Sequence, residues 1–290
     1  MHTTNIRGIA IMLLAIGAFS AMDALLKFLA ADYSPLQVSA LRGAASLPFL
    51  LLPTLVRGNW QSLRPQRIPV HLLRGALMVI VMTSFVYAVS QLTLADTYAV
   101  FLAAPLIVTA LSVPLLGEQV GPRRWLAIAV GICGALTMLR PSGANLVSLG
   151  ALAALLSAVC YAVSAITVRW LTRSESTGSI VIWSLATMTV VCAALAAPSW
   201  APVQPSHWWV IIAIGAVGAV AQYLFTEAFR AAPASVIAPF EYSALLWGMG
   251  IDWFVWQVAP SSRVLLGGSI VITSGLYIIW RERARPLASG

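Results

Sequence analysis

The stretch Thr97–Pro122, TYAVFLAAPLIVTALSVPLLGEQVGP, decides how the chain is read. Residues 97–116 are mostly apolar, carry prolines at 105 and 114, and stop abruptly at Gly117-Glu118. A helix of about twenty residues is about 30 Å long, the thickness of the hydrocarbon core of a bilayer. The pattern returns in Ser235–Pro260, SVIAPFEYSALLWGMGIDWFVWQVAP. Gln119-Val120-Gly121-Pro122 recurs 138 residues later as Gln257-Val258-Ala259-Pro260, and Pro105 recurs about one helical turn out of step as Pro239. The segments leading into the two copies, FVYAVSQLTLADT (Phe85–Thr97) and YLFTEAFRAAPAS (Tyr223–Ser235), are again 138 apart. Such self-similarity reads as an internal duplication.

Composition sets the class. Of 290 residues, 60% are hydrophobic and 9% are charged, against about 25% charged in a soluble domain. With a mean hydropathy of +0.90, this is the composition of a polytopic membrane protein with little outside the bilayer. The net charge of +8 lies mostly in short loops, where the positive-inside rule accounts for it without a nucleic-acid partner. Cys133, Cys160 and Cys192 lie in apolar spans without metal-ligand spacing, so no metal site is expected. Arg7 precedes an apolar run like that of a signal peptide, but the run is a full span and reads as a retained first helix.

Hydropathy predicts an all-α protein of ten spans, roughly 7–28, 35–56, 71–92, 97–116, 123–140, 147–170, 177–199, 207–228, 234–256 and 263–281. Twelve Lys and Arg residues near span ends fall on one side and two, Arg140 and Arg263, on the other, which puts both termini in the cytoplasm. Ten spans divide into two fives, 1–141 and 146–285. Because five is odd, the second copy enters the membrane from the opposite side, an inverted repeat of the kind found in secondary transporters.

A proline in the fourth span of each half, the Gly117-Glu118 that closes that span, and a glycine-bearing fifth span (Gly131, Gly134; Gly267, Gly268, Gly275) resemble the EamA-type transporters of the drug/metabolite transporter superfamily. In the second half Val255-Trp256 stands where Gly-Glu would be. The resemblance covers nearly the whole chain. It implies transport of small organic solutes, and the chain looks most like bacterial exporters of amino acids and related metabolites.

No nucleophile elbow, phosphate-binding loop or His/Cys cluster is present, so no catalytic residue and no cofactor is expected. The informative residues are charges inside spans, which face a bundle interior or an aqueous cavity. Asp23 and Arg42 lie at similar depth in spans 1 and 2, and Lys27 is one turn from Asp23. An Asp23–Arg42 or Asp23–Lys27 pair would bind solute or simply lock two helices. Glu241 lies two residues after Pro239 and beside Tyr242. A proline frees the carbonyl one turn earlier, so acid, phenol and carbonyl together suit an ammonium group or a proton. The alternative is an acid satisfied by Arg74 or Arg230. Tyr98, Tyr87 and Trp247 complete the expected substrate-binding set, and Pro105 and Pro239 the expected helix breaks. Tyr161, Tyr223, Trp183 and Trp253 are also placed to reach an interior. His71 and His207, at span ends, are expected to be wetted, as are Asp32, Asp96 and Asp252, while Glu118 is expected to pair with Arg123 or Arg124 in a loop.

These features favour a monomeric secondary transporter of the inner membrane. A lipid-modifying membrane enzyme would gather its polar residues at one interface, and a passive channel would show a continuous polar lining. If Glu241 meets the solute or a coupling proton, Glu241→Gln keeps the shape and removes the charge. The expected outcome in proteoliposome uptake assays is a loss of at least tenfold, about 1.4 kcal/mol, with folding and expression retained.

Overall fold

The computed structural model describes residues 2–56, 60–116, 125–126, 129–130, 133, 148–232 and 237–283. The expected fifth span, with Arg123, Arg124, Gly131 and Gly134, lies largely outside the described residues, as does Glu118. Among the described residues the chain is helical throughout, without strands. The helices are α1 (His2–Leu29), α2 (Pro35–Val56), α3 (Ile68–Gln91), α4 (Leu94–Phe101), α5 (Ala104–Leu116), α6 (Leu149–Leu171), α7 (Thr177–Ala196), α8 (Trp208–Ala231), α9 (Ser243–Trp256) and α10 (Ser262–Arg283). Among the described residues six segments are long and apolar enough to cross a membrane, those of α1, α2, α3, α6, α7 and α8.

The stretch 97–116, expected as one helix, is two. The first piece starts earlier, at Leu94, because Thr93 caps it: the Thr93 hydroxyl accepts from the Asp96 backbone N–H at 2.9 Å. It stops at Phe101, and α5 begins at Ala104 with Pro105 as its second residue, where a missing N–H costs no hydrogen bond. The matching segment is also divided. A 3₁₀ turn at Ala238–Tyr242, with Pro239 in its first two positions, precedes α9. The repeated Gln-Val-x-Pro motif is a helix terminator in its second copy. Gln257 ends α9 with a left-handed φ of 55°, and the Val258 N–H reaches back to the Asp252 carbonyl at 3.0 Å.

Helices α1 and α8 pack together, as do α3 and α6; α2 and α3 both pack on α7, and α4 packs on α9. Glycine sets the closest approach. A Cβ on Gly215 of α8 would lie 2.6 Å from the Ala45 carbonyl carbon of α2, so backbone meets backbone there. On α2 and α3, Gly43 faces Thr189 and Gly75 faces Thr187, two residues apart on α7, so the two helices pack on different sides of it at the same level.

Polar networks close the two ends of the bundle, and both correct an expectation. Asp252 is buried rather than solvated. Its carboxylate accepts from the backbone N–H groups of Leu94 (3.2 Å) and Ala95 (2.7 Å) at the start of α4, and Lys27 lies 3.6 Å away. An anion at a helix N-terminus satisfies donors that have no partner within the helix. Lys27 therefore reaches Asp252 and the Leu92 carbonyl (3.0 Å), with Trp256 beneath it at 4.8 Å, and Asp23 is left to another partner. His207, at the same end, is buried beside the Tyr33 hydroxyl at 2.9 Å. Asp32 is 45% exposed, as expected of a solvated carboxylate.

At the opposite end His71 is buried as well, because Glu175, between α6 and α7, folds over it. Glu175 takes the His71 ring nitrogen at 2.6 Å, the Gln66 and Arg67 backbone N–H groups at 3.0 Å each, and the Ser179 hydroxyl at 3.1 Å. Arg230 donates to the Glu175 carbonyl at 2.9 Å and lies 3.5 Å from Glu227. Burial alone would raise the Glu175 carboxyl; the His71 hydrogen bond and the two backbone donors outweigh it and hold the group below its ordinary value.

Two outcomes follow. Gly215→Val should destabilise the fold by about 1–3 kcal/mol through overpacking, read as a lower melting temperature, whereas Gly250→Ala, whose Cβ meets nothing within 4 Å, should change little. A depressed carboxyl contributes stability that is complete above its unfolded value and lost as pH falls through its folded one. Glu175→Gln should therefore cost about 1.5–3 kcal/mol at neutral pH. The gap between variant and parent should narrow in melting curves as pH falls below the ordinary carboxylate range.

Candidate functional site

A cavity of about 120 Å³ lies within the bundle, walled by α1, α2, α3, α4, α6, α8 and the turn before α9. Its walls are mainly aromatic and thioether side chains, among them Phe19, Phe85, Phe101, Phe225, Met78 and Met82. The rings form a continuous run: Tyr98 on Phe85 (6.1 Å), Phe85 on Phe101 (5.8 Å), Phe101 on Tyr161 (5.1 Å) and Tyr161 on Phe225 (6.0 Å). Such walls suit the apolar body of an organic solute.

Four charged residues interrupt this lining: Asp23, Arg42, Arg74 and Glu241, all buried and between 1% and 7% exposed. Each acid has a phenol. The Tyr98 hydroxyl on α4 donates to Asp23 Oδ2 on α1 at 2.7 Å, and the Tyr161 hydroxyl on α6 donates to Glu241 Oε2 at 3.0 Å. The two pairs mirror one another. An acid on α1 meets a phenol on α4, and a phenol on α6 meets an acid ahead of α9. Asp23 and Tyr161 are separated by 138 residues, the same interval as the Gln-Val-x-Pro motifs.

The arginines lack such partners. Arg42 directs Nε to Met22 Sδ at 3.2 Å and Nη1 to Met188 Sδ at 3.9 Å, both weak acceptors. Arg74 Nε donates to the Ser184 hydroxyl at 2.6 Å. Among the described residues neither arginine has a carboxylate within 4 Å. Glu241 accordingly hydrogen-bonds Tyr161, and Asp23 hydrogen-bonds Tyr98 while Arg42, beyond 4 Å, is still near enough for the two charges to interact.

Of the residues singled out from sequence, Asp23, Arg42, Tyr98 and Glu241 line the cavity together. Tyr242 is buried beside them, in the cluster that holds Tyr98 and Leu245. Tyr87 and Trp247 stand outside the lining. On α3 the inward positions are Met78, Met82, Phe85 and Val89, and Tyr87 lies off that face. On α9 Leu245, Gly248 and Asp252 turn inward, so Trp247 is half exposed and lies over Gly17, where an added Cβ would come 3.4 Å from its ring. Nothing is described of the Pro105 and Pro239 side chains; their backbones sit at the two helix breaks.

Arg74 was weighed from sequence only as a partner for Glu241. A signal for it exists. Leu41-Arg42-Gly43-Ala44 on α2 recurs as Leu73-Arg74-Gly75-Ala76 on α3. In each copy the glycine packs on α7 while the arginine lines the cavity.

Comparison with known proteins agrees with this architecture. A solved crystal structure shares the fold over 98% of this chain and 99% of its own, with a TM-score of 0.71 at 21% identity. A pseudopaline exporter of Pseudomonas aeruginosa is 29% identical over 92% of this chain and 94% of its own length. A riboflavin transporter of Vibrio cholerae is 30% identical over 94% and 93%. An S-adenosylmethionine uptake transporter of Rickettsia conorii is 26% identical over 97% and 95%. The model of the EamA-like transporter family matches twice, at residues 6–140 and 148–281. With both halves of the chain accounted for, this multi-pass membrane protein belongs to the EamA-like transporter family.

Proposed function

We propose that the protein is a secondary transporter of the inner membrane that exports amino acids or related small metabolites by alternating access. The observation that carries this reading is the buried cavity, in which two acid–phenol pairs and two arginines interrupt an aromatic wall. Charge at this depth is costly in lipid and persists where it serves a polar solute or ion. Relatives that share the full length of the chain are named for an exporter and for uptake transporters alike, so the direction of flux is part of the proposal.

Alternating access follows from the proposed inverted repeat of ten spans, five in each half, with both termini in the cytoplasm and the monomer as the working unit. Three observations support the repeat. The family model matches each half separately. The helix contacts correspond when each expected span is exchanged with the one five places away: α1 on α8 has its counterpart in α6 on α3, and α2 on α8 in α7 on α3. The acid–phenol pairs fall on matching helices, first with fourth and sixth with ninth. Rocking the two halves about the cavity would open the Lys27–Asp252 end and the Glu175 end in turn.

The test is purified protein in liposomes, loaded with unlabelled solute and challenged with a labelled panel of amino acids, amines and organic acids. The expected result is counterflow of at least one amino-acid-like solute, reduced at least tenfold by Tyr161→Phe or Glu241→Gln with the protein still folded. Liposomes inert across the whole panel would remove transport of this class from consideration.

A further inference from the structure

We infer that Arg42 and Arg74 together form a carboxylate-binding subsite, so that the solute is an organic zwitterion held by its carboxylate at these two guanidinium groups. The inference rests on the transport reading and narrows it to a substrate class. Both side chains are almost fully buried, at 2% and 1% exposure, and both line the cavity. Their contacts place them side by side. Arg42 reaches Met188 and Arg74 reaches Ser184, four residues apart on α7, which is about one turn or 6 Å along the helix axis.

Two cations that contact successive turns of one helix, away from water, repel each other unless an anion lies between them. The protein supplies none at close range: among the described residues no carboxylate comes within 4 Å of either guanidinium. A guanidinium carries five N–H donors, and the described partners of this pair are two thioether sulfurs and one hydroxyl. The remaining donors suit the bidentate fork that arginine offers a carboxylate. Asp23 and Glu241 line the same cavity, each holding a phenol hydroxyl, and Asp23 lies near enough to Arg42 for their charges to interact. The cavity thus sets two cations and two acids into one aromatic lining, a set of groups complementary to a carboxylate and an ammonium on one solute.

The repeated tetrapeptide explains how the geometry is held. Gly43 and Gly75 let α2 and α3 approach Thr189 and Thr187 of α7 closely, and each glycine fixes the arginine that precedes it against that helix. Lysine in either position would keep the charge but lose the planar fork.

The test compares matched compounds on the purified full chain: free amino acids, their carboxamides, and the corresponding decarboxylated amines. Melting temperature should rise with free acids and stay unchanged with amides and amines, because a ligand stabilises the state it binds. Arg42→Lys and Arg74→Lys should each weaken the acid's apparent affinity roughly tenfold or more. The compound comparison is made on the parental protein, so it decides the matter even if a variant misfolds. Equal stabilisation by an acid and its amide, or no stabilisation by any carboxylate at millimolar concentration, overturns the inference. Liposomes that move amides or amines as fast as the acids, with Arg42→Lys at the parental rate, overturn this inference and leave transport standing. Liposomes that move nothing overturn transport itself.

Discussion

Every charge buried in this bundle must find a partner inside the protein, because the surrounding hydrocarbon offers none. The chain meets that constraint differently in the middle and at the ends. At the ends, charges are satisfied by backbone. Asp252 takes the first N–H groups of α4, and Glu175 takes two loop N–H groups, His71 and Ser179. In the middle, Asp23 and Glu241 take phenols, while among the described residues Arg42 and Arg74 hydrogen-bond only thioether and hydroxyl groups. Well-satisfied charges fasten helices together, and under-satisfied charges around a cavity are where a solute would gain most. The difference in satisfaction is the ground on which the cavity charges are proposed as binding charges.

Backbone irregularity puts these groups within reach of each other. The break between Phe101 and Ala104 and the 3₁₀ turn at Ala238–Tyr242 interrupt two apolar segments beside the cavity. A straight helix through either would keep its carbonyls and its side-chain register intact. The interrupted ones bring Tyr98 to Asp23 and Glu241 to Tyr161. Small residues do the complementary work elsewhere. Gly43, Gly75 and Gly215 draw α2, α3 and α8 close enough that two arginines can share one side of α7.

Much of this was legible in the chain itself. Apolar spans of bilayer length pointed to a helical membrane protein, and the intramembrane charges Asp23, Arg42 and Glu241 all fall in the cavity lining. What was not legible was partnership. Sequence depth placed Asp252 and His71 near span ends and so in water, but a helix N-terminus and a folded-back loop bury them. Depth also could not say which way Trp247 and Tyr87 face, because both lie in segments apolar on every side. Arg74 went unrecognised as a cavity residue although its tetrapeptide repeats that of Arg42, because repetition at 32 residues within one half does not follow the interval of the duplication.

If the two halves rock as proposed, the two end networks are alternatives to one another, and the cavity opens past whichever is broken. The most direct measurement is a pair of spin-label distances, one across the Lys27–Asp252 end and one across the Glu175–Arg230 end, taken with and without transported solute. The account predicts that the two distances shift in opposite senses, one lengthening as the other shortens. Distances that stay fixed, or that lengthen together, would contradict alternating access around this cavity.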